Sequence, residues 1–246
     1  MTSKPFFSIA IPFYYRDENS INQLYRCVNS IKNQLFKSYE VIISTQNIFE
    51  RLKDDPFFNA EMINLYNAEH MGGFIQGNIN NAMQNCSGKW IKILFSDDFF
   101  FDQYCLLNLN SQLNSNNKMW AVMNSLHFDQ NSKKIYKPLI PYFQKNILEL
   151  NTIGSPSAIV LLNSKKILFD KKSWIRLDVD YYLSLFKKLG KPLYIKNVFI
   201  VNEIHKNQFS SLLLKKDKSI KNRLKKELEY LFKKHKYRKK DFMSLF

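Results

Sequence analysis

The sequence predicts an α/β domain built on a mostly parallel β-sheet. Residues 7–12 form a short apolar run closed by Pro12, residues 21–33 carry apolar side chains at helical spacing, and residues 39–44 form a second β-rich run. A strand, a helix and a strand within about 40 residues is the pattern of a βαβ unit, in which the two strands are parallel. The chain has 246 residues, of which 45% are hydrophobic, and this is enough for one such domain with a substantial core.

The remaining elements continue this alternation. Gly72 and Gly73 open a helical stretch that runs to residue 83, and a later helix over residues 178–189 ends at Gly190, a typical stop signal. The apolar run at residues 90–95 is the clearest core strand. The other predicted strands cover residues 60–66, 119–128, 135–139, 157–162 and 192–201, with a turn at 129–132, and the other predicted helices cover residues 102–113 and 215–236.

Charge and cysteine content narrow the functional class. The net charge is +16, and residues 215–246 alone carry 13 Lys or Arg against 4 Asp or Glu. Such an excess favours polyanionic partners, namely nucleic acid, anionic lipid or phosphorylated ligands. Nucleic acid is the disfavoured partner, because no known nucleic-acid-binding module is recognisable. In addition, two acidic pairs, Asp97 with Asp98 and Asp178 with Asp180, would repel phosphate unless a metal ion intervened. The three cysteines have no metal-ligand spacing, so we expect buried free thiols.

The location of the protein is an expectation from hydropathy. No apolar run reaches the roughly 18–20 residues that a membrane span needs, and the first residues do not resemble a signal peptide. We therefore expect a cytoplasmic protein. The basic stretch at 215–236 carries Leu224, Leu228, Leu231 and Phe232 on one side. This pattern is compatible with peripheral attachment to the inner face of the cytoplasmic membrane, and equally with packing on the domain or with an oligomer contact.

Two acidic pairs are candidates for chemistry. Asp97 and Asp98 directly follow the strand at 90–95, at the edge of the sheet where α/β proteins bind ligands. Adjacent carboxylates favour a divalent cation, which phosphates of a substrate would help to hold, although capping of the next helix is the alternative. Asp178 and Asp180 stand at the start of another helix, where a carboxylate serves either as a general base or as a cap.

Five segments, in order, resemble the glycosyltransferases of family 2, which have the GT-A fold. They are the strand and helix from Phe7 to Gln34, the run Ser87-Gly-Lys-Trp-Ile-Lys-Ile-Leu-Phe-Ser-Asp-Asp98, the motif Ile153-Gly-Ser-Pro-Ser157, the stretch from Trp174 to Tyr182, and His205-Lys-Asn-Gln-Phe-Ser210. The resemblance implies a Rossmann-like three-layer sandwich with a central, mostly parallel sheet. It also implies a catalytic domain over residues 1–210 and a basic helical tail over residues 211–246.

The resemblance implies a role for each matched residue. Asp178 corresponds to the catalytic base, and Asp98 corresponds to the metal-coordinating carboxylate, with His205 as a further metal or diphosphate contact. The residues expected to bind the nucleotide-sugar are Pro12, Tyr14, Arg16, Asn80, Asp97 and Ser157. Thr45 and Gln46 stand where the family usually has the Asp that binds the base, and they are expected to bond the base instead. Core packing for Tyr14, a helix-surface position for Asn80 and a plain loop position for His205 are the alternatives.

The function that the resemblance implies is hexosyl transfer with inversion. The donor would be a nucleoside diphosphate sugar, the cofactor Mn²⁺ or Mg²⁺, and the acceptor a glycan or lipid-linked glycan in the synthesis of bacterial surface polysaccharide or lipooligosaccharide. Phe95, His70 and Leu177 depart from the family pattern. Because of the departures at Thr45, Phe95 and His70, the alternative is a catalytically inactive homologue that acts as a binding or partner subunit.

Overall fold

The computed structural model describes residues 4–72, 75–144, 147–148, 150–204 and 218–237. Its strands are β1 (Phe7–Phe13), β2 (Tyr39–Thr45), β3 (Ile63–Asn67), β4 (Trp90–Ile93), β5 (Phe99–Phe100), β6 (Trp120–Asp129), β7 (Lys134–Leu139), β8 (Ile159–Leu162) and β9 (Leu193–Ile204). Its α-helices are α1 (Glu18–Lys32), α2 (Phe49–Lys53), α3 (Ile75–Gln84), α4 (Cys105–Asn114), α5 (Leu177–Leu189) and α6 (Lys218–His235).

One sheet joins all the described strands. Its order is β3-β2-β1-β4-β8-β6-β9-β5. Strand β7 pairs with the second half of β6, from Ser125 to Asp129. The pairs β3–β2, β2–β1, β1–β4 and β6–β9 are parallel, which confirms the βαβ prediction. Strand β8 is inserted antiparallel between β4 and β6. The segment that enters β8 therefore lies at the same edge of the sheet as the carboxyl end of β4.

Helices cover both faces of this sheet and produce the predicted three layers. One hydrophobic cluster contains α1 and α4 residues such as Leu24 and Leu109, packed on one face. A second cluster on the opposite face combines α3, α5 and α6, for example through Met83, Tyr181 and Leu231. The three cysteines are buried and free, as predicted. Among the described residues, no helix is long and apolar enough to cross a membrane.

Several predicted boundaries need correction, each for a local reason. The helix expected from residue 102 begins at Cys105, because the Asp102 side chain accepts from the Tyr104 amide in a turn ahead of it. The strand expected from residue 157 begins at Ile159, after a 3₁₀ turn at Pro156–Ala158. The short elements α2 and β5 were not predicted. In β5, Phe99 and Phe100 pair with β9.

The basic helix of the tail packs on the domain. In α6 the predicted apolar side is confirmed, since Leu228, Leu231 and Phe232 are buried in the cluster shared with α3 and α5. The opposite side of α6 exposes its cations, including Lys221, Lys225 and Lys233. The apolar side that membrane insertion would need is thus turned toward protein. Residues 211–217 and 238–246 of the predicted tail lie outside the described residues.

This packing predicts that α6 contributes to the stability of the whole domain. We expect Leu231→Ala, which empties a fully buried site, to reduce the free energy of unfolding by about 2–5 kcal/mol. Urea unfolding followed by circular dichroism measures this as a lower midpoint of a single transition. Leu150→Ala is the matched control, because the Leu150 side chain is 60% exposed. Equal midpoints for the two variants would contradict the packing of α6.

Candidate active site

Asp97 and Asp98 follow β4 at the carboxyl edge of the parallel strands. Asp98 is buried, and its backbone amide donates to the carbonyl of Phe95 in a tight turn. Asp97, beside it, is partly exposed. Because α4 begins only at Cys105, neither carboxylate caps it, and the capping alternative is not observed.

The Asp98 carboxyl has an unusual electrostatic environment. Burial and the neighbouring Asp97 charge raise the pKa of Asp98 from 3.8 to about 8. Hydrogen bonding opposes the rise: Ser155 Oγ donates to Asp98 Oδ2 at 3.1 Å, and Ser157 acts in the same direction. The Asn202 side chain also lowers this pKa, and its Nδ2 makes no hydrogen bond to another described residue. Burial and the Asp97 charge therefore favour the protonated form of this carboxyl unless a cation replaces the proton.

A buried lysine lies beneath the same site. The Lys92 side chain, in the middle of β4, is fully buried and donates to the carbonyls of Ile93 and Ser157. Burial lowers the pKa of Lys92 to about 7, while the charge of Asp98 opposes this shift. Lys92 therefore links the strand that leads to Asp98 with the segment that enters β8. Lys92 was not predicted as a site residue, although a single lysine inside an apolar strand is a visible signal.

Asp178 lies in the first turn of α5 and is partly buried. Its Oδ2 accepts from Asn151 Nδ2 at 2.6 Å, and its Oδ1 accepts from the Val179 amide at 2.7 Å. Burial raises the pKa of Asp178, and the two hydrogen bonds together with the charge of Arg176 oppose the rise. A carboxylate with a raised pKa and a fixed orientation has the properties of a general base.

One short loop connects the two carboxyls. Asn151 Oδ1 accepts from the amides of Ile153 and Gly154, and Asn151 Nδ2 donates to the Gly154 carbonyl as well as to Asp178. The next residue, Ser155, donates to Asp98. Gly154 has φ of +95°, which favours glycine. The motif at residues 153–157 was predicted as a family signature, but the bridging roles of Asn151 and Ser155 were missed. The Asn-x-x-Gly spacing of an Asx turn was the available signal.

Tyr182 contacts the same loop and lies near both carboxyls. Its hydroxyl donates to the Gly154 carbonyl at 2.8 Å. Burial raises the pKa of Tyr182 well above its ordinary value, and the charges of both Asp178 and Asp98 add to the shift. The structure thus brings together four of the predicted site residues: Asp97, Asp98, Ser157 and Asp178.

The ends of β1 and β2 hold the predicted base-binding residues. Pro12 pairs with Ser44 and Phe13 with Thr45 in parallel register, so these ends lie side by side. Thr45 and Gln46 are buried, and Thr45 Oγ1 and Gln46 Nε2 make no hydrogen bond among the described residues. The Tyr14 side chain is 54% exposed, so core packing is ruled out for it.

Two further predicted residues make contacts within the protein. Asn80 is buried, which excludes the helix-surface alternative, and its side chain bonds both the amide and the carbonyl of Phe169. The Arg16 guanidinium donates to Gln23, on α1. His205, the predicted second metal contact, lies outside the described residues.

The ion pair between Arg26 and Glu203 supports the turn that contains Asp97. Glu203, fully buried near the end of β9, accepts from Arg26 and from Gln23 Nε2. Arg26 also donates to the backbone carbonyl of Asp97 at 3.1 Å and lies 4.6 Å from the ring centre of Phe99. These residues were not found from the sequence, because the pair joins positions 177 apart.

The donor set at Asp98 fits a hard divalent cation. Among the described residues no group of three or more His, Cys, Asp or Glu could hold a metal alone. Mg²⁺ and Mn²⁺ sites in nucleotide enzymes, however, often need only one or two carboxylates together with substrate phosphates. Asp98, whose buried carboxyl lacks a full compensating charge, and the adjacent Asp97 would supply these ligands.

Comparison with known proteins identifies the family. A profile described as glycosyl transferase family 2 matches residues 8–170, well over half of the chain. The chain belongs to glycosyl transferase family 2. No curated protein sequence matches this glycosyltransferase chain significantly.

Solved structures agree with the family. The 1–349 fragment of S. aureus TarS in complex with UDP-GlcNAc aligns with a TM-score of 0.62 at 15% identity, covering 83% of this chain and 60% of the fragment. The same fragment with UDP aligns with a TM-score of 0.62 at 13% identity, covering 92% and 72%. These identities establish the GT-A fold alone. This family 2 chain spans less than two thirds of the UDP-GlcNAc-bound fragment.

The raised pKa of Asp98 predicts a pH-dependent stability. Because the folded-state pKa lies above the ordinary carboxyl value, the stabilisation from the bound proton is present below about pH 4 and is lost as the pH rises toward 8. In buffer without divalent cations, we expect Asp98→Asn to gain melting temperature relative to wild type between pH 5 and pH 8. Each kcal/mol gained in the free energy of unfolding should raise the melting temperature by about 2–4 °C.

Differential scanning fluorimetry across this pH range measures the effect. Asp54→Asn, at an exposed position, is the control for a general loss of negative charge. A constant difference between Asp98→Asn and wild type at every pH would show that Asp98 titrates normally.

Proposed function

We propose that this protein transfers a hexosyl group from a nucleoside diphosphate sugar to an acceptor hydroxyl, with inversion at the anomeric carbon. The observation that carries the proposal is the loop at residues 151–155, which bonds Asp98 at one end and Asp178 at the other. A carboxyl suited to a diphosphate-bound cation and a carboxylate suited to a general base are thereby held in one site.

The donor lies, in this proposal, along the carboxyl ends of β1, β2 and β4. Tyr14 offers an exposed ring for the base, and Thr45 and Gln46 offer polar atoms without protein partners. Asp97 and Asp98 lie at the position of the ribose and the diphosphate. The TarS structures were solved with UDP-GlcNAc and with UDP, which supports this donor class.

The metal in this proposal is Mn²⁺ or Mg²⁺, held by Asp98 with Asp97 nearby. When bound, such a cation neutralises the negative charge that grows on the leaving diphosphate. The protein supplies a carboxyl that is buried and fixed by Ser155, so the charge it presents is preorganised and poorly screened by water. Lys92, which donates to the Ser157 carbonyl, holds this side of the site in place.

Asp178 takes the proton of the acceptor hydroxyl. The acceptor oxygen forms a bond to the anomeric carbon while the bond from that carbon to the diphosphate oxygen breaks, so one displacement inverts the configuration. The bonds from Asn151 and Val179 fix the orientation of the carboxylate. Tyr142, which is 53% exposed, is hydrogen-bonded through its backbone to Thr152 in the loop at residues 151–155, and it offers an acceptor-side contact. We assign the acceptor to the glycans or lipid-linked glycans of bacterial surface polysaccharide or lipooligosaccharide.

Nucleotide binding tests the donor side. A ligand that binds only the folded protein raises its melting temperature by mass action. Among a panel of nucleoside diphosphates, we expect one to raise the melting temperature in the presence of Mn²⁺, and we expect Asp98→Asn to abolish the Mn²⁺-dependent part. Asp54→Asn should behave as wild type. Absence of any shift, for every nucleotide with and without Mn²⁺, would favour the inactive homologue.

Removal of the base tests the transfer step. We expect Asp178→Asn to lower kcat about 10²–10⁴-fold with unchanged nucleotide affinity, because general-base catalysis contributes about this much. Release of nucleoside diphosphate in the presence of acceptor measures kcat, and the melting shift above measures affinity. Turnover at the wild-type rate would exclude Asp178 as the base.

A further inference from the structure

Glu227, on α6, is a buried carboxylate that binds the segment in front of α5. Its Oε1 accepts from the amides of Trp174 and Arg176 at 2.7 and 2.9 Å, and its Oε2 accepts from the amide of Ile175 at 2.9 Å. Ser173 Oγ donates to Oε1 at 3.2 Å. One side chain therefore accepts three successive backbone N–H groups and a hydroxyl.

The Arg176 amide is one of the N–H groups that an α-helix leaves without an acceptor at its start. The N-cap residue of α5 is Arg176, and it makes no side-chain capping bond. A helix start buried without a cap leaves N–H groups unsatisfied, and a negative charge at this end of a helix is favourable. Glu227 supplies both the acceptors and the charge from more than 50 residues further along the chain.

Other residues of α6 strengthen the contact on both sides of Asp178. The guanidinium of Arg223 lies 3.6 Å from the ring centre of Trp174, before Asp178 in the chain. Lys234 and His235 both contact the buried carboxylate of Asp180, after Asp178, at 2.7 and 2.6 Å. The first turn of α5 is thus bound to α6 in front of Asp178 and behind it.

We propose that Glu227 is a positioning residue for the transfer reaction, acting on Asp178 through the Trp174–Arg176 backbone. The inference rests on the proposed role of Asp178 as the base. Asp178 comes two residues after Arg176, the last residue whose amide Glu227 binds. Because the backbone of the first helical turn is continuous with this segment, a shift of Arg176 would also move the Asp178 side chain. A small displacement would loosen the short bond from Asn151 and the alignment with the acceptor, and misplacement by about 1 Å costs up to about 10²-fold in rate.

The test compares Glu227→Gln with Glu229→Gln. Both substitutions remove one negative charge from α6, but Glu229 is exposed. In Glu227→Gln, the new amide nitrogen faces the Ile175 N–H, so a donor opposes a donor and the segment must shift. The first readout is the titration of Asp178 by carboxyl ¹³C NMR of aspartate-labelled protein, with the resonance assigned by Asp178→Asn.

The sign of the change separates positioning from a simple charge effect. Loss of the Glu227 charge alone would lower the pKa of Asp178, whereas loosened bonds from Asn151 and Val179 would raise it. We expect a higher Asp178 pKa in Glu227→Gln and no change in Glu229→Gln. The second readout is kinetic: kcat should fall about 10-fold or more at unchanged nucleotide affinity, and the acid limb of the rate profile should move to higher pH.

Each outcome decides the matter. An unchanged or lowered Asp178 pKa in folded Glu227→Gln, even with a lower melting temperature, would overturn the proposal and leave Glu227 a stabilising residue only. If Glu227→Gln does not fold, Ser173→Ala, which removes one of the four bonds, takes its place with the same expected signs. If the wild type transfers no sugar, the proposed function fails, and the NMR titration still decides whether Glu227 sets the environment of Asp178.

Discussion

The burial of the Asp98 carboxyl at the end of β4 is the constraint on which the rest of the site depends. A buried carboxylate without a compensating cation is costly, so the group either keeps its proton or binds a cation. The interior offers only limited compensation. The nearby Lys92 is itself partly discharged by burial and spends its donors on two backbone carbonyls. This is the electrostatic basis for the proposed binding of a cation that arrives with phosphates.

The topology of the sheet explains why the other groups collect around Asp98. Because β8 runs antiparallel to β4, the loop that enters β8 meets the residues that leave β4, and Ser155 and Ser157 reach the Asp98 turn. Because β9 is parallel to β6, which lies beyond β8 in the sheet, its carboxyl end arrives at the same edge and brings Asn202 and Glu203. Asp178 then joins through the Asn151 side chain, and no long-range backbone pairing is needed.

The sequence was sufficient for the parts of the fold that depend on local pattern. The apolar run ending at Asp97 and Asp98, the stop at Gly190 and the amphipathic side of α6 follow from periodicity and turn chemistry, and the structure confirms them. It was insufficient where partners are far apart in the chain. The pairing of β5 with β9 and the Arg26–Glu203 ion pair depend on which strands become neighbours, and neither leaves a local trace. The roles of the individual site residues stay predictions until nucleotide and metal binding are measured.

In the tail, one polar residue distinguishes two interpretations of an amphipathic helix, namely binding to a membrane surface and packing on the protein. Leu224, Leu228 and Leu231 suit a membrane surface and a protein surface equally well, and the exposed cations of α6 suit an anionic surface. Glu227 lies one residue before Leu228 and four before Leu231, on the side that is buried. In lipid, a carboxylate at this position would lack donors and would be costly, whereas the Trp174–Arg176 amides provide three of them. The acidic residue on the apolar side therefore favours packing against the domain, and it makes the tail part of the structure that holds Asp178.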